Sequence, residues 1–126
     1  MAKLYESGEN YLETILMLHM KGQSVRSIDV AREMDVSKPS VSRAVGILRD
    51  GGFIRVEEDG DLSLTETGKE VAERIYERHR VLTDWLIGLG VSPETADEDA
   101  CKLEHHISAE SFACLKKHIL SCHNNL

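Results

Sequence analysis

The feature that most constrains this chain is the order of short patterns between residues 27 and 65. Apolar residues at helical spacing predict one helix over residues 27–34 and another over residues 38–50, and the intervening Asp-Val-Ser predicts a tight turn. Two glycines end the second helix. Two apolar stretches around an Asp-Gly pair then predict a β-hairpin. The order helix, turn, helix, hairpin indicates a winged helix-turn-helix.

Helical patterns flank this region on both sides. Apolar spacing predicts helices over about residues 5–21 and 66–87, and serines at cap positions predict helices over about residues 93–106 and 109–121. In the 66–87 helix the apolar positions alternate three and four apart, as in the seam of a coiled coil. A chain of only 126 residues also gains stability when it dimerises, because a small core buries little apolar surface.

These patterns together predict the fold class and the domain boundary. We expect a mostly α protein with a small β-wing, in which a winged helix-turn-helix domain is joined to a helical dimerisation domain. The first domain is predicted to span residues 1–72 and the second to span residues 73–126.

The distribution of charge is compatible with DNA binding, although the net charge is −7. Residues 23–56 carry six basic and four acidic side chains, whereas residues 57–78 carry three basic and eight acidic ones. A basic face on an acidic protein can still bind phosphates, and bound cations would relieve the acidic surroundings. The plainer alternative is a small α+β domain whose arginines are only solvated.

The second helix of the predicted winged helix-turn-helix carries side chains suited to DNA. Such a helix enters the major groove with its N-terminal residues at the base edges, while neighbouring segments contact phosphates. Arg43 can bind a guanine or a phosphate, and Arg26 and Arg49 are predicted phosphate contacts. The residues predicted to face DNA at the helix start are Ser37, Lys38, Ser40, Ser42 and Arg43.

A second pattern, Cys-Lys-Leu-Glu-His at residues 101–105, predicts a metal site in the helical domain. On a helix Cys101, Glu104 and His105 share one face, because positions i, i+3 and i+4 are neighbours. A thiolate, a carboxylate and an imidazole beside an apolar stripe suit a transition metal. Each residue alone has an ordinary explanation, as a small buried thiol or as part of a solvated surface pair. Their coincidence beside a winged helix-turn-helix favours the metal site.

Three further polar residues could add ligands. His79 occupies a seam position where Leu or Ile is expected, although a lone histidine at such a position is more often a core histidine bonded to a carbonyl. Asn10 and Glu13 form an i, i+3 pair on the first helix, and they complete the ligand set if the helices converge.

The three cysteines are expected to be free thiols or metal ligands. The N-terminus lacks the apolar core of a signal peptide, and no apolar stretch is long enough to span a membrane, so we expect a cytoplasmic protein without a membrane partner. An odd number of cysteines in a reducing compartment argues against disulfides. Cys114, His118 and Cys122 are spaced i, i+4, i+8 on the last helix, and they form either a further soft-metal or redox site or no site.

Four segments together resemble the diphtheria-toxin-repressor family of iron- and manganese-dependent regulators. They are ENYLETILML, VSKPSVSRAVGILRDGGFI, LTETGKEVAERIYERHRVLTDWL and ACKLEHHIS. The resemblance covers nearly the whole chain and points to the short, two-domain form of the family. It implies a dimer in which a metal ties the first helix of the reading domain to the dimerisation domain and fixes the spacing of the two reading heads.

The resemblance also implies roles for individual residues. The positions that match the primary metal ligands of the family are Glu13, Cys101, Glu104 and His105. His79 matches a ligand of a neighbouring site and Asp97 an ancillary position, whereas Thr83 replaces an ancillary carboxylate. Asn10 stands where iron-type members carry Met and manganese-type members carry Asp. The positions that match DNA-facing residues are Ser37, Pro39, Ser40 and Arg43.

The function implied by the resemblance is metal-dependent transcriptional repression in metal-ion homeostasis. The partners would be double-stranded operator DNA and a second copy of the chain. Iron-type members share the cysteine at Cys101, and a thiolate favours later, softer metals. We therefore expect Fe(II) ahead of Mn(II), with Co(II), Ni(II) or Zn(II) also able to bind.

Other functions remain as alternatives. The nearest is a winged-helix regulator that senses redox state through Cys101 or binds a small organic ligand, and a plainer one is a helical adaptor that never contacts DNA. An enzyme is not expected, because no nucleophile, oxyanion element or HExxH pair accompanies Glu104 and His105.

Overall fold

The computed structural model describes residues 6–124, and these divide into two compact units. The first unit extends to Arg74 and the second begins at Ile75, two residues after the predicted domain boundary. Tyr5, the predicted start of the first helix, lies outside the described residues, as do the start of the first predicted domain and the end of the second. No helix within residues 6–124 is both long enough and apolar enough to cross a membrane.

The described part of the first unit contains three complete helices, a β-hairpin and the start of a fourth helix. Helix α1 spans Glu6–Met20, α2 spans Ser27–Met34 and α3 spans Lys38–Asp50. The antiparallel strands β1 and β2 span Ile54–Val56 and Leu62–Leu64. This order of elements confirms the predicted winged helix-turn-helix, with the β-hairpin as its wing.

Local sequence signals set the turn between α2 and α3. Asp35 adopts a left-handed conformation with a φ of 55°, which a short polar side chain tolerates, and it reverses the chain after α2. Ser37 caps α3, because its hydroxyl accepts a hydrogen bond from the amide of Ser40 at 3.3 Å. Pro39 occupies the first turn, where its missing N–H removes no helical hydrogen bond. These signals define which residues form the N-terminal turn of α3.

The core of the first unit lies between the helices and the hairpin. Leu12 of α1, Val30 of α2, Val41 of α3 and Leu62 of β2 are buried in one cluster. Burial of each such side chain contributes roughly 1.5–3 kcal/mol relative to an exposed one. The inward face of α3 is therefore fixed, and its opposite face is left for solvent or a partner.

The wing is attached to α1 and to the segment after it. The amide of Leu62 donates to the carbonyl of Val25 at 2.7 Å, and the amide of Val25 donates to the carboxylate of Asp61 at 2.7 Å. His19 Nε2 also lies 2.6 Å from the Leu62 carbonyl oxygen. These contacts hold the base of the hairpin against the helices, so the wing keeps a set position beside α3.

The second unit contains the remaining helices. Helix α4 spans Glu66–Gly88 and contributes to both units, whereas α5 spans Pro93–Leu103 and α6 spans Ala109–Asn124. Leu82 of α4, Ala100 of α5 and Phe112 of α6 form a buried cluster in this unit. The mostly α architecture with a small β-wing is therefore confirmed.

Two helix ends differ from the sequence prediction. Helix α5 ends at Leu103, and residues 104–106 form a turn, so the prediction that the helix continues to His106 is wrong. The chain tightens there because the amide of His106 bonds to the carbonyl of Leu103, three residues back, at 3.1 Å. Helix α6 continues to Asn124, beyond the predicted end at Ser121.

Candidate metal centre and DNA-facing helix

Three potential metal ligands lie together at the end of α5. One donor atom from each of Cys101, Glu104 and His105 lies within 4.8 Å of the other two. Cys101 belongs to the last turn of α5, whereas Glu104 and His105 belong to the turn that follows. The tightened turn keeps the three side chains on one side although the helix ends earlier than predicted.

Glu104 is the most deeply buried member of this group. Its side chain is fully buried, and that of His105 is only 1% exposed. Glu104 Oε1 lies 3.3 Å from His105 Nε2 and forms no hydrogen bond within the described part of the chain. A buried carboxylate oxygen is costly unless a proton donor or a cation compensates it. The burial and the donor chemistry of the group therefore fit a divalent transition metal.

His79 of α4 and Asp97 of α5 extend the group. His79 Nδ1 lies 2.8 Å from Glu104 Oε2, and His79 Nε2 lies 2.8 Å from Asp97 Oδ1. The side chain of Asp97 is 66% exposed, so it forms the solvent side of this chain of contacts. The imidazole joins two carboxylates and orients Glu104, as outer partners do around metal ligands.

Arg78 holds the turn that carries Glu104 and His105. It is buried, and its Nη1 donates hydrogen bonds to the carbonyls of Glu104 at 3.0 Å and Ile107 at 2.8 Å. Its guanidinium also lies over the ring of Phe112, 5.4 Å from the centroid. Sequence reasoning missed this residue, because spacing alone does not distinguish Arg78 from the other charged residues of α4.

The other two predicted metal residues belong to the first unit. Asn10 and Glu13 lie about one turn apart on α1, and Glu13 is buried. A buried carboxylate needs a partner that compensates its charge. This requirement applies to Glu13 as it does to Glu104.

Helix α3 presents a polar surface at its N-terminal end. The hydroxyls of Ser37 and Ser40 lie 2.8 Å apart, and the buried residues Val41 and Leu48 face the core. Backbone amides and the helix dipole make a helix N-terminus favourable for phosphate. All residues predicted to face DNA are exposed, namely Arg26, Ser37, Lys38, Pro39, Ser40, Ser42, Arg43 and Arg49.

The basic residues on this surface differ in their surroundings. Arg49 lies in the last turn of α3, and its Nε is 3.4 Å from Asp50 Oδ1, so an acid competes with phosphate there. Lys38 and Arg43 lie in the first half of the helix, on the exposed side. These two are therefore the stronger candidates for DNA contacts.

Two family models match the chain in the order of its two units. The model described as the N-terminal DNA binding domain of iron dependent repressors matches residues 3–62, and the model of their metal binding and dimerisation domain matches residues 65–124. The chain is also 32% identical to an HTH-type transcriptional regulator of Methanocaldococcus jannaschii, over 88% of this chain and 90% of that protein. The chain belongs to the iron-dependent repressor family. Its predicted resemblance to the diphtheria-toxin-repressor family is thus confirmed.

The chain matches only part of the length of two other relatives. The transcriptional regulator MntR of Salmonella typhimurium is 36% identical over 82% of this chain, which corresponds to 66% of MntR. The structure of the manganese regulator SloR gives a TM-score of 0.81 with 27% identity, over 89% of this chain and 53% of that one. The chain therefore spans about two thirds of one relative and about half of the other. These relatives are named as regulators and not as enzymes, as expected from the sequence. One of the names includes manganese, whereas the family description names iron.

Proposed function

We propose that this protein is a metal-dependent transcriptional repressor that controls metal-ion homeostasis. It would act in the cytoplasm as a homodimer on double-stranded operator DNA. The observation that carries the proposal is the group of Cys101, Glu104 and His105, with its fully buried carboxylate, on the same chain as a winged helix-turn-helix. Membership of the iron-dependent repressor family supports it.

The proposed ligands combine the group at the end of α5 with residues of α1. They are Asn10, Glu13, Cys101, Glu104 and His105. A bound divalent cation would supply the positive charge that compensates the buried carboxylates. We assign His79 the role of orienting Glu104 through its Nδ1, while its Nε2 contacts Asp97. His79 and Asp97 would also be the ligands of any neighbouring metal.

Metal binding would act on DNA affinity by shifting a population. As the family resemblance implies, ligands from α1 and from the end of α5 with its following turn would hold the reading domain and the dimerisation domain together in the metal-bound form. Two recognition helices of a dimer bind well only when they are about one helical turn of DNA, roughly 34 Å, apart. Restricting their motion raises the fraction of molecules with that spacing, without a new contact to DNA.

The chemistry of Cys101 supports Fe(II) as the physiological metal ahead of Mn(II). Thiolate ligands favour softer metals, whereas Mn(II) prefers carboxylate, carbonyl and water oxygens. Co(II), Ni(II) and Zn(II) would also bind. If Mn(II) activates DNA binding at the same free concentration as Fe(II) under anaerobic conditions, this preference is wrong.

The test compares ligand variants with matched controls in a DNA-binding assay. A duplex selected from a random pool by the Co(II)-loaded protein is labelled, and fluorescence anisotropy measures its Kd with and without Co(II) or anaerobic Fe(II). Cys101→Ala and His105→Ala should lose at least about tenfold in metal-dependent affinity, since even outer partners of a metal site contribute that much. Cys114→Ala and His106→Ala serve as matched controls and should retain the metal response.

Two results would overturn the proposal. If both ligand variants respond to metal as the wild type does, the assignment of the ligands is wrong. If the wild-type protein binds its duplex equally in excess chelator, metal does not control DNA binding, and a regulator of redox or small-ligand type takes its place. Arg43→Ala separates the two activities, because it should weaken DNA binding while leaving the Co(II) absorption spectrum unchanged.

A further inference from the structure

The last helix carries a pair of side chains that can bind a metal, separate from the group at the end of α5. His118 and Cys122 are four residues apart on α6, so they share a face of the helix. Cys122 Sγ lies 3.5 Å from His118 Nε2. Both residues are exposed and line a cavity of about 580 Å³ between α4 and α6. Neither belongs to the ligand set of the proposed repressor site.

The separation of the two donor atoms matches one edge of a tetrahedral metal complex. In tetrahedral zinc sites the Zn–S bond is about 2.3 Å and the Zn–N bond about 2.0–2.1 Å, which places the two donors about 3.5 Å apart. The observed distance between Sγ and Nε2 is 3.5 Å. Chelation therefore needs no change in the distance between the two donor atoms, and the thiol proton has to leave.

We propose that His118 and Cys122 form a bidentate site for a borderline or soft divalent cation of the Zn(II) and Co(II) class. The thiolate and the neutral imidazole nitrogen each donate an electron pair to the cation, and the thiol proton is released to solvent. Solvent fills the remaining positions. Hard cations such as Mn(II) and Mg(II) are disfavoured by this donor pair. The proposal shares no ligand with the Cys101 group and does not depend on the proposed repressor function.

The site has a predictable effect on the end of α6. A chelate between positions 118 and 122 joins two successive turns near the C-terminal end of the helix, at Asn124. It should therefore suppress fraying there, because a cation that binds only the folded helix stabilises it. The same cavity is lined by Trp85, the single tryptophan of the chain, so Co(II) at this site should quench its fluorescence.

The first experiment removes the other metal-ligating thiolate and titrates the full chain with Co(II). In a Cys101→Ser protein, thiolate-to-cobalt charge-transfer absorption should persist and saturate at one Co(II) per chain, with parallel quenching of Trp85. Adding Cys122→Ser should abolish the band, and adding His118→Ala should weaken Co(II) binding by at least about tenfold. Adding Cys114→Ser, the matched cysteine control on α6, should change neither the charge-transfer band nor the Co(II) affinity. If the Cys101→Ser protein shows no thiolate band, or if Cys114→Ser removes it equally, the proposal is wrong.

A second measurement uses the unmodified protein and so does not depend on the folding of any variant. Zn(II) is titrated against the reduced chain, iodoacetamide is added, and mass spectrometry of peptides measures the alkylation rate of each cysteine. Zn(II) should protect Cys122 and leave Cys114 reactive, because only the metal-bound thiolate is blocked. If Cys122 and Cys114 react at the same rate at every Zn(II) concentration, the proposal is overturned. Protection of Cys101 is measured in the same samples, so failure of either site is seen separately.

Discussion

Gly68 lies where the start of α4 passes the backbone of the wing. A Cβ atom at this position would lie 1.9 Å from the carbonyl oxygen of Phe53 and 2.9 Å from its carbonyl carbon. The same oxygen accepts a hydrogen bond from the amide of Thr65 at 3.1 Å, so it is not free to move away. Only glycine allows this approach without a shift of the backbone.

We expect Gly68→Ala to lower the free energy of unfolding of the metal-free protein by about 3 kcal/mol, at the upper end of overpacking effects. Gly46→Ala is the matched control, because a Cβ at that helical position meets no atom within 4 Å. It should leave stability unchanged or raise it by up to about 1 kcal/mol, through the higher helix propensity of alanine. Urea unfolding followed by circular dichroism measures both changes. Equal midpoints for the two variants would contradict the close contact.

Residues whose role depends on nearby sequence were predictable, and those whose role depends on a distant contact were not. The capping function of Ser37 and the first-turn position of Pro39 follow from the residues beside them. Gly68 carries no such signal, because its role depends on the backbone of Phe53, which lies just before β1 and far away in the sequence. The same holds for His19, whose ring meets the carbonyl of Leu62 in the wing.

At the scale of elements, the turn after α5 depends on a buried charge from α4. Arg78 donates to the carbonyls of Glu104 and Ile107, which lie at either end of this turn. A cation at the C-terminal end of a helix is favourable, and it satisfies carbonyls that have no helical amide to bond. The position of Glu104 and His105 therefore depends on a residue that binds no metal in the proposed site.

Arg78→Met should weaken Co(II) binding by about 10–100-fold, as the loss of outer support does in other metal sites. The ligands are all retained, so competition with a chelator of known affinity measures the change directly, and the Co(II) absorption spectrum should broaden. Arg78→Lys keeps the charge and should recover part of the affinity. Arg80→Met on the same helix is the matched control, since Arg80 is exposed and lies over Tyr76. A variant that is less stable but binds Co(II) with unchanged affinity would show that Arg78 supports only the fold.

The early end of α5 shows what helical spacing predicts and what it does not. The spacing of Cys101, Glu104 and His105 predicted a shared side, and their donor atoms do lie within 4.8 Å of one another. It also predicted a continuous helix to His106, which is wrong, because a tight turn preserves nearly the same neighbours as a helix does. Helical periodicity therefore predicts which residues lie on the same side more accurately than it predicts where a helix ends.

At the scale of the whole molecule, a pair of reading helices requires two copies of the chain. The described residues leave an apolar surface beside the cavity between α4 and α6, where Leu89 is 65% exposed and Leu120 is 53% exposed. Trp85 and Ile119 continue the same surface. The family model that covers these residues describes a dimerisation domain, so we expect a second copy to cover these apolar side chains and to leave His118 and Cys122 open to solvent at the edge of the contact.

Leu120→Glu should therefore shift the protein from dimer to monomer, because a carboxylate on this surface would lose its hydration in the dimer. Ile87→Glu is the matched control, since Ile87 is an exposed apolar residue of α4 outside the cavity lining. Sedimentation velocity in excess chelator measures association without any contribution from bound metal, and the emission of Trp85 should shift to longer wavelength as the surface becomes solvated. A monomer binds one half-site only, so Leu120→Glu should also lower operator affinity even when its Co(II) affinity is unchanged. If Leu120→Glu stays dimeric while Ile87→Glu dissociates, the interface lies on another face of α4.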